Sequence, residues 1–244
     1  YSPLNYLLQA FLFRIFGWEM NSPLLVLYYL LRLTYVITYA TLGYWAIRLL
    51  PVGKWILLVL ALAPTAVLQS ATISADPIAN GISFLFLAWC LHLLIDGPAM
   101  DKKNTAITLA LVFLLANIKL NALPLLLLLV FIKRDQFPSK KWAVAFWTAT
   151  GLIVVGVAGG WNLIAWQSDA VRRGLEGVSP FTLLIENLSH PLNFIRGLLT
   201  YIWSTGAQVI KGWIASTGYN YWPVHPVVFA VWLLALVAAV IAST

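Results

Sequence analysis

Five stretches of this chain, residues 24–47, 55–72, 77–95, 142–166 and 224–243, are apolar over about the thickness of a lipid bilayer. A helix rising 1.5 Å per residue needs about 20 apolar residues to cross a hydrocarbon core of roughly 30 Å. Four of the five stretches contain no Asp, Glu, Lys or Arg, and residues 24–47 contain only Arg32. The expected fold class is therefore all-α, a polytopic helical bundle in a membrane. Composition agrees: 61% of the residues are hydrophobic and 9% charged, against roughly 25% charged in a soluble domain. Too few polar residues remain to clothe a water-facing surface.

The ends of the runs carry helix-start signals. Pro23, Pro77 and Pro226 sit where a missing N–H costs nothing. Residues 4–16 are apolar but short, with Asn5, Gln9 and Arg14 at helical spacing. They read either as an amphipathic helix lying in the membrane interface or as a short core-packing helix. Residues 105–118 and 122–133 are each too short to cross alone. Lys102 and Lys103 precede the first, and Lys133 and Arg134 follow the second. The pair reads as a short helical hairpin, 105–133, whose tip Asn117-Ile118-Lys119-Leu120-Asn121-Ala122 stops below the opposite surface. Irregular backbone at that depth needs protein or a wet cavity around it, so a cavity is expected beside the tip.

Charge sets an orientation. Arg48, Lys54, Lys102, Lys103, Lys133, Arg134, Lys140 and Lys141 share one set of loops, and the opposite turn Ala71–Asp76 has no cation. The positive-inside rule puts the basic loops in the cytoplasm. Residues 1–23, the turn at Asp76, the hairpin tip and the long loop 167–223 then face outward from an inner (cytoplasmic) membrane. Within that loop, 180–188 and 191–214 read as amphipathic helices. Tyr219-Asn220-Tyr221-Trp222-Pro223 reads as an aromatic interface belt. The net charge of +7 is explained by topology rather than nucleic acid. Cys90 is the single cysteine, so no disulfide follows. The chain does not open on Met, and further residues upstream of Tyr1 are expected.

Few residues stand out for chemistry. Asp76, before Pro77, is either a helix N-cap or an outward carboxylate for a sugar hydroxyl, a cationic partner or a metal. Lys119 either snorkels to the interface or binds a lipid-linked phosphate. Arg32 lies inside the first span, with the same two readings. Asn117, Asn121 and His190 are secondary candidates. His225 and His92 read as structural. No Walker loop, dinucleotide fingerprint, zinc spacing or nucleophile elbow is present.

Four segments carry a family resemblance: SPLNYLLQAFLFRIFG, LLRLTYVITYATLGYWAIRLL, APTAVLQSATISADPIANGISFLFLAWCLHLL and ALVFLLANIKLNALPLLLLLVFI. Together they resemble the GT-C superfamily of membrane glycosyltransferases. More closely, they resemble a group of uncharacterised bacterial integral membrane proteins, of domain-of-unknown-function type, related to that fold. Residues 63–80 are the most specific part. The resemblance implies a GT-C-like bundle that transfers a sugar from a polyprenyl-phosphate donor to a glycan, lipid or protein acceptor, in cell-envelope glycan synthesis. It places the catalytic carboxylate upstream of Tyr1, Asp76 on the acceptor or metal side, and Lys119 and Arg32 at the donor phosphate. No cofactor is assigned; a divalent cation stays open. The competing reading is a non-enzymatic subunit or a lipid-linked glycan transporter packed in a larger complex.

Overall fold

The computed structural model describes residues 3–16, 24–166, 180–217 and 222–243. The described residues are almost entirely helical, as expected of a membrane bundle. Three stretches are long and apolar enough to span a bilayer: Leu24–Leu49, Asp76–Ile95 and Lys140–Ala165.

The first two, α2 (Leu24–Leu49) and α5 (Asp76–Ile95), form the central pair. Leu27, Leu31, Tyr35, Tyr39, Gly43 and Ala46 form one buried stripe along α2, at near-constant helical spacing. The other faces of α2 are exposed, up to 78% at Leu24, which suits lipid. The two helices pack closely because Gly81 lacks a side chain. A Cβ there would lie 2.7 Å from Leu42 Cδ1 and 2.9 Å from Leu42 Cβ. Small residues allow the same close approach between helices in membranes generally.

Residues 55–72 depart from the expectation of one span. Two short helices, α3 (Lys54–Ala61) and α4 (Pro64–Ser70), replace it. Pro64 supplies no N–H and breaks the ladder. The carbonyl of Ala61 that this break leaves open accepts from the Tyr39 hydroxyl at 2.8 Å.

The hairpin has unequal arms. Its first arm, α6 (Lys102–Ile118), starts earlier than the apolar run because Asp101 caps it, accepting from the Asn104 N–H at 2.8 Å. The second arm, Leu120–Phe131, is a 3-10 helix of 12 residues. Such helices rarely exceed 3–4 residues. At about 2.0 Å per residue it covers about 24 Å, close to the roughly 26 Å of α6. The shorter arm therefore reaches as far as the longer one. Asn121, Pro124, Leu127 and Val130, three apart, form its exposed ridge, and Leu129 and Ile132 face the core.

Indole-to-hydroxyl bonds tie the helices together. Trp89 on α5 donates to Thr108 on α6 at 2.8 Å, and Trp142 donates to Thr105 at 3.0 Å. Trp142 belongs to α7 (Lys140–Ile153), which Ser139 caps. A π-helical turn, Val154–Gly159, and α8 (Gly160–Trp166) continue it. Beyond it lie α9 (Pro180–Ser189), α10 (Pro191–Ala215), a two-residue strand pair β1 (Ser216–Thr217) and β2 (Trp222–Pro223), and α11 (Pro226–Ile241). Only 16 residues long, α11 is shorter than the span expected over 224–243. His225 caps it, and Trp232 fastens it to α3 through the Val59 carbonyl at 2.8 Å. Asp169, Arg172, Arg173, Glu176 and Tyr219 to Tyr221 of the expected outward loop lie outside the described residues.

Candidate functional site

The hairpin turns at Lys119, whose backbone is extended between α6 and the 3-10 arm. This turn lies against the start of α5. There the Lys119 ammonium pairs with the Asp76 carboxylate. Both side chains are largely covered, with 22% and 31% exposure. Partial burial lowers the effective dielectric and strengthens such a pair relative to a surface one.

Asp76 does not cap α5, as one reading of the Asp-Pro pair expected. It is the first helical residue, and Ala75 precedes it without a side-chain cap. The hydroxyl of Ser74 accepts from the Asp76 N–H at 3.2 Å and donates to Asp76 Oδ2 at 3.3 Å. Thr72 shares a hydroxyl bond of 2.9 Å with Ser74. The carboxylate thus lies in the first turn of a helix, where the N-terminal dipole favours negative charge.

Arg32 steadies the same turn. Its Nε donates to the Ala71 carbonyl at 2.7 Å, and its guanidinium lies over the Tyr28 ring, 5.4 Å from the centroid. That bond places Arg32 beside the turn leading into α5. Among the described residues, no other hydrogen bond of its guanidinium is seen.

Asn5 fixes the hairpin from the other side. It is fully buried, and its amide donates to the carbonyls of Asn117 at 3.1 Å and Ile118 at 3.4 Å. The Tyr35 hydroxyl donates to the Asn5 carbonyl at 3.2 Å. The carbonyls that end α6 have lost their helical donors, and Asn5 supplies new ones. The Asn117 side chain turns back to the Phe113 carbonyl at 2.8 Å. Asn121 is exposed on the outer ridge of the 3-10 arm. Residues 3–16 thus divide: Pro3–Tyr6 locks the hairpin, and α1 (Leu7–Phe16) exposes Leu7, Phe11, Phe13 and Ile15.

A groove of about 420 Å³ opens beside Asn117, between Leu4 and Leu7 on one side and Gly156, Val157, Gly160 and Ile164 on the other. His190 lies elsewhere, at the elbow between α9 and α10. It faces a groove of about 440 Å³ shared with Glu186, Asn193 and Tyr201.

The structure therefore gathers Asp76, Lys119, Arg32 and Asn117 at one end of the bundle, with Asn121 at the same end but exposed on the outer ridge of the 3-10 arm, and leaves His190 apart. Sequence reasoning missed Ser74, Thr72 and Tyr35 altogether. It read Asn5 only as part of an amphipathic face. The available signal was the hairpin turn itself, whose open carbonyls required a buried donor. No cluster of three or more His, Cys, Asp or Glu suited to a metal occurs among the described residues.

The whole chain, residues 1–244, matches the family described as "Predicted membrane protein (DUF2142)" and belongs to it. No curated protein and no solved structure matches it.

Proposed function

We propose that this chain handles a polyprenyl-phosphate-linked sugar at the end of the bundle that carries Asp76 and Lys119, as a glycosyltransferase of the GT-C type or a relative of one. The observation that carries this reading is the largely covered Lys119–Asp76 pair at the hairpin tip. An ammonium held beside a carboxylate in low dielectric can exchange that partner for a phosphate. The apolar groove lined by Asn117, two positions before Lys119, offers a lipid chain a place on the same hairpin, although neither Lys119 nor Asp76 lines it.

The chemistry follows from that exchange. Lys119 leaves Asp76 and contacts the donor phosphate, with Arg32 on the adjoining turn. The acceptor hydroxyl attacks the anomeric carbon as the bond to the phosphate oxygen breaks. The negative charge collects on the phosphate, where Lys119 stabilises it. The hydroxyl proton passes to a carboxylate, with the released Asp76 on the acceptor side. This end faces outward under the positive-inside rule.

A second reading draws on the exposed side of α9 and α10. Leu192 is 79% and Trp203 93% exposed, as suits a non-enzymatic subunit that packs against a partner in the membrane. In that case the Lys119–Asp76 pair is a structural tie.

Donor binding separates the two. Full-length protein in nanodiscs is titrated with a polyprenyl-phosphate sugar, and transfer to acceptor is followed in parallel. Lys119→Met should weaken donor binding about ten- to a hundredfold, the worth of a charge-assisted bond. Unchanged donor affinity in a folded Lys119→Met protein would refute the phosphate role.

A further inference from the structure

The opposite end of the bundle carries a different kind of charge. Lys102 and Lys103 begin α6, Lys133 and Arg134 follow the 3-10 arm, and Lys140 and Lys141 begin α7. All six are exposed. They come from three separate segments, yet hydrogen bonds between those segments hold them on one rim. The Gln136 amide donates to the carbonyls of Leu93 at 2.8 Å and Pro98 at 3.2 Å. Its backbone carbonyl accepts from the Met100 N–H at 2.8 Å. These bonds hold the Lys133-Arg134 turn against the loop leading into α6. The Trp142–Thr105 bond then sets the first turns of α6 and α7 side by side.

Three carboxylates lie among these six cations and offset them only in part. Asp96 pairs with His92 at 2.6 Å, and Asp101 is used as the cap of α6. Asp135 lies exposed within the Arg134–Gln136 turn. Among the described residues, none of the six cations has an ion pair. Topology control needs only the presence of positive residues in short loops. It does not require them to be fixed together.

We infer that this rim binds the phosphates of anionic phospholipids in the leaflet it faces, as a fixed cationic collar. The collar does not depend on transfer activity at the opposite end. Each Lys or Arg near an anionic surface contributes about 1 kcal/mol, about a fivefold preference, before screening.

The test compares full-length protein in nanodiscs of phosphatidylcholine alone and of phosphatidylcholine with phosphatidylglycerol. Thermal unfolding and lipid retention in native mass spectrometry are both read. Wild type should unfold at higher temperature and retain phosphatidylglycerol selectively, and high salt should erase the difference. The Lys140→Gln/Lys141→Gln variant should lose much of the selectivity and keep its stability in phosphatidylcholine. Lys140→Arg/Lys141→Arg should retain both. Cysteine labelling of the loops verifies that each variant keeps its orientation. Wild type indifferent to phosphatidylglycerol would overturn the inference and leave an acidic protein partner as the rim's counterpart. Selectivity unchanged in the glutamine variant would overturn it equally.

Discussion

The two ends of the bundle solve the same problem by opposite means. Each has a loop that leaves backbone carbonyls open, and each answers with a carboxamide: Asn5 beneath the Lys119 tip, Gln136 beneath the basic rim. The charges differ. At the tip, Lys119 is paired with Asp76 and largely covered. At the rim, six cations stand exposed without a carboxylate partner among the described residues. Opposite charges held together in partial burial make a local, salt-resistant tie, whereas like charges held apart on a surface make a field that reaches a partner.

The sharpest way to break this contrast is to remove one member of the tip pair. Asp76→Asn deprives a largely covered ammonium of the Asp76 carboxylate and should cost about 3 kcal/mol, towards the lower end for buried pairs because this one is partly wet. Adding Lys119→Met should recover most of that loss, a coupling that a double-mutant cycle of thermal unfolding would measure. Strictly additive losses would mean that the pair contributes nothing.

Next in size is the close contact between α2 and α5. Gly81→Ala pushes a methyl group into Leu42 and should destabilise by about 2 kcal/mol, within the range for overpacking. The shift in unfolding temperature reports it, and Gly43→Ala, where a Cβ meets nothing within 4 Å, is the control.

A smaller effect follows at the rim. Gln136→Ala opens the carbonyls of Leu93 and Pro98 and should cost about 1–2 kcal/mol. Hydrogen exchange of the Met100 amide should speed up with it.

The smallest effect completes the comparison. Lys102→Gln should alter stability in neutral lipid by no more than about 0.5 kcal/mol, as an exposed surface change does. A larger loss in neutral lipid would mean that the rim is a tie like the tip.

The membrane character of the chain and its helical class were readable from the apolar runs alone, because the solvent dictates both. The detail that builds the site was not. Pro64 breaks residues 55–72 into α3 and α4, a signal present in the sequence but outweighed there by the length of the apolar run. In the second hairpin arm every residue from Ala122 to Phe131 is apolar except for the neutral break at Pro124, so no polar stripe betrayed the three-residue period. Lys119 and Asp76 were each singled out, yet their pairing spans 43 positions and depends on where the hairpin turns. Asn5 binds across 112 positions, to a carbonyl whose need appears only once α6 ends.

The winding of the second hairpin arm carries a mechanical consequence. Twelve residues wound as a 3-10 helix are about 6 Å longer than the same residues wound as an α-helix. Wound as an α-helix, the arm would stop about one turn short of the end of α6, so the extended winding is what carries twelve residues as far as Lys119 and its Asp76 partner.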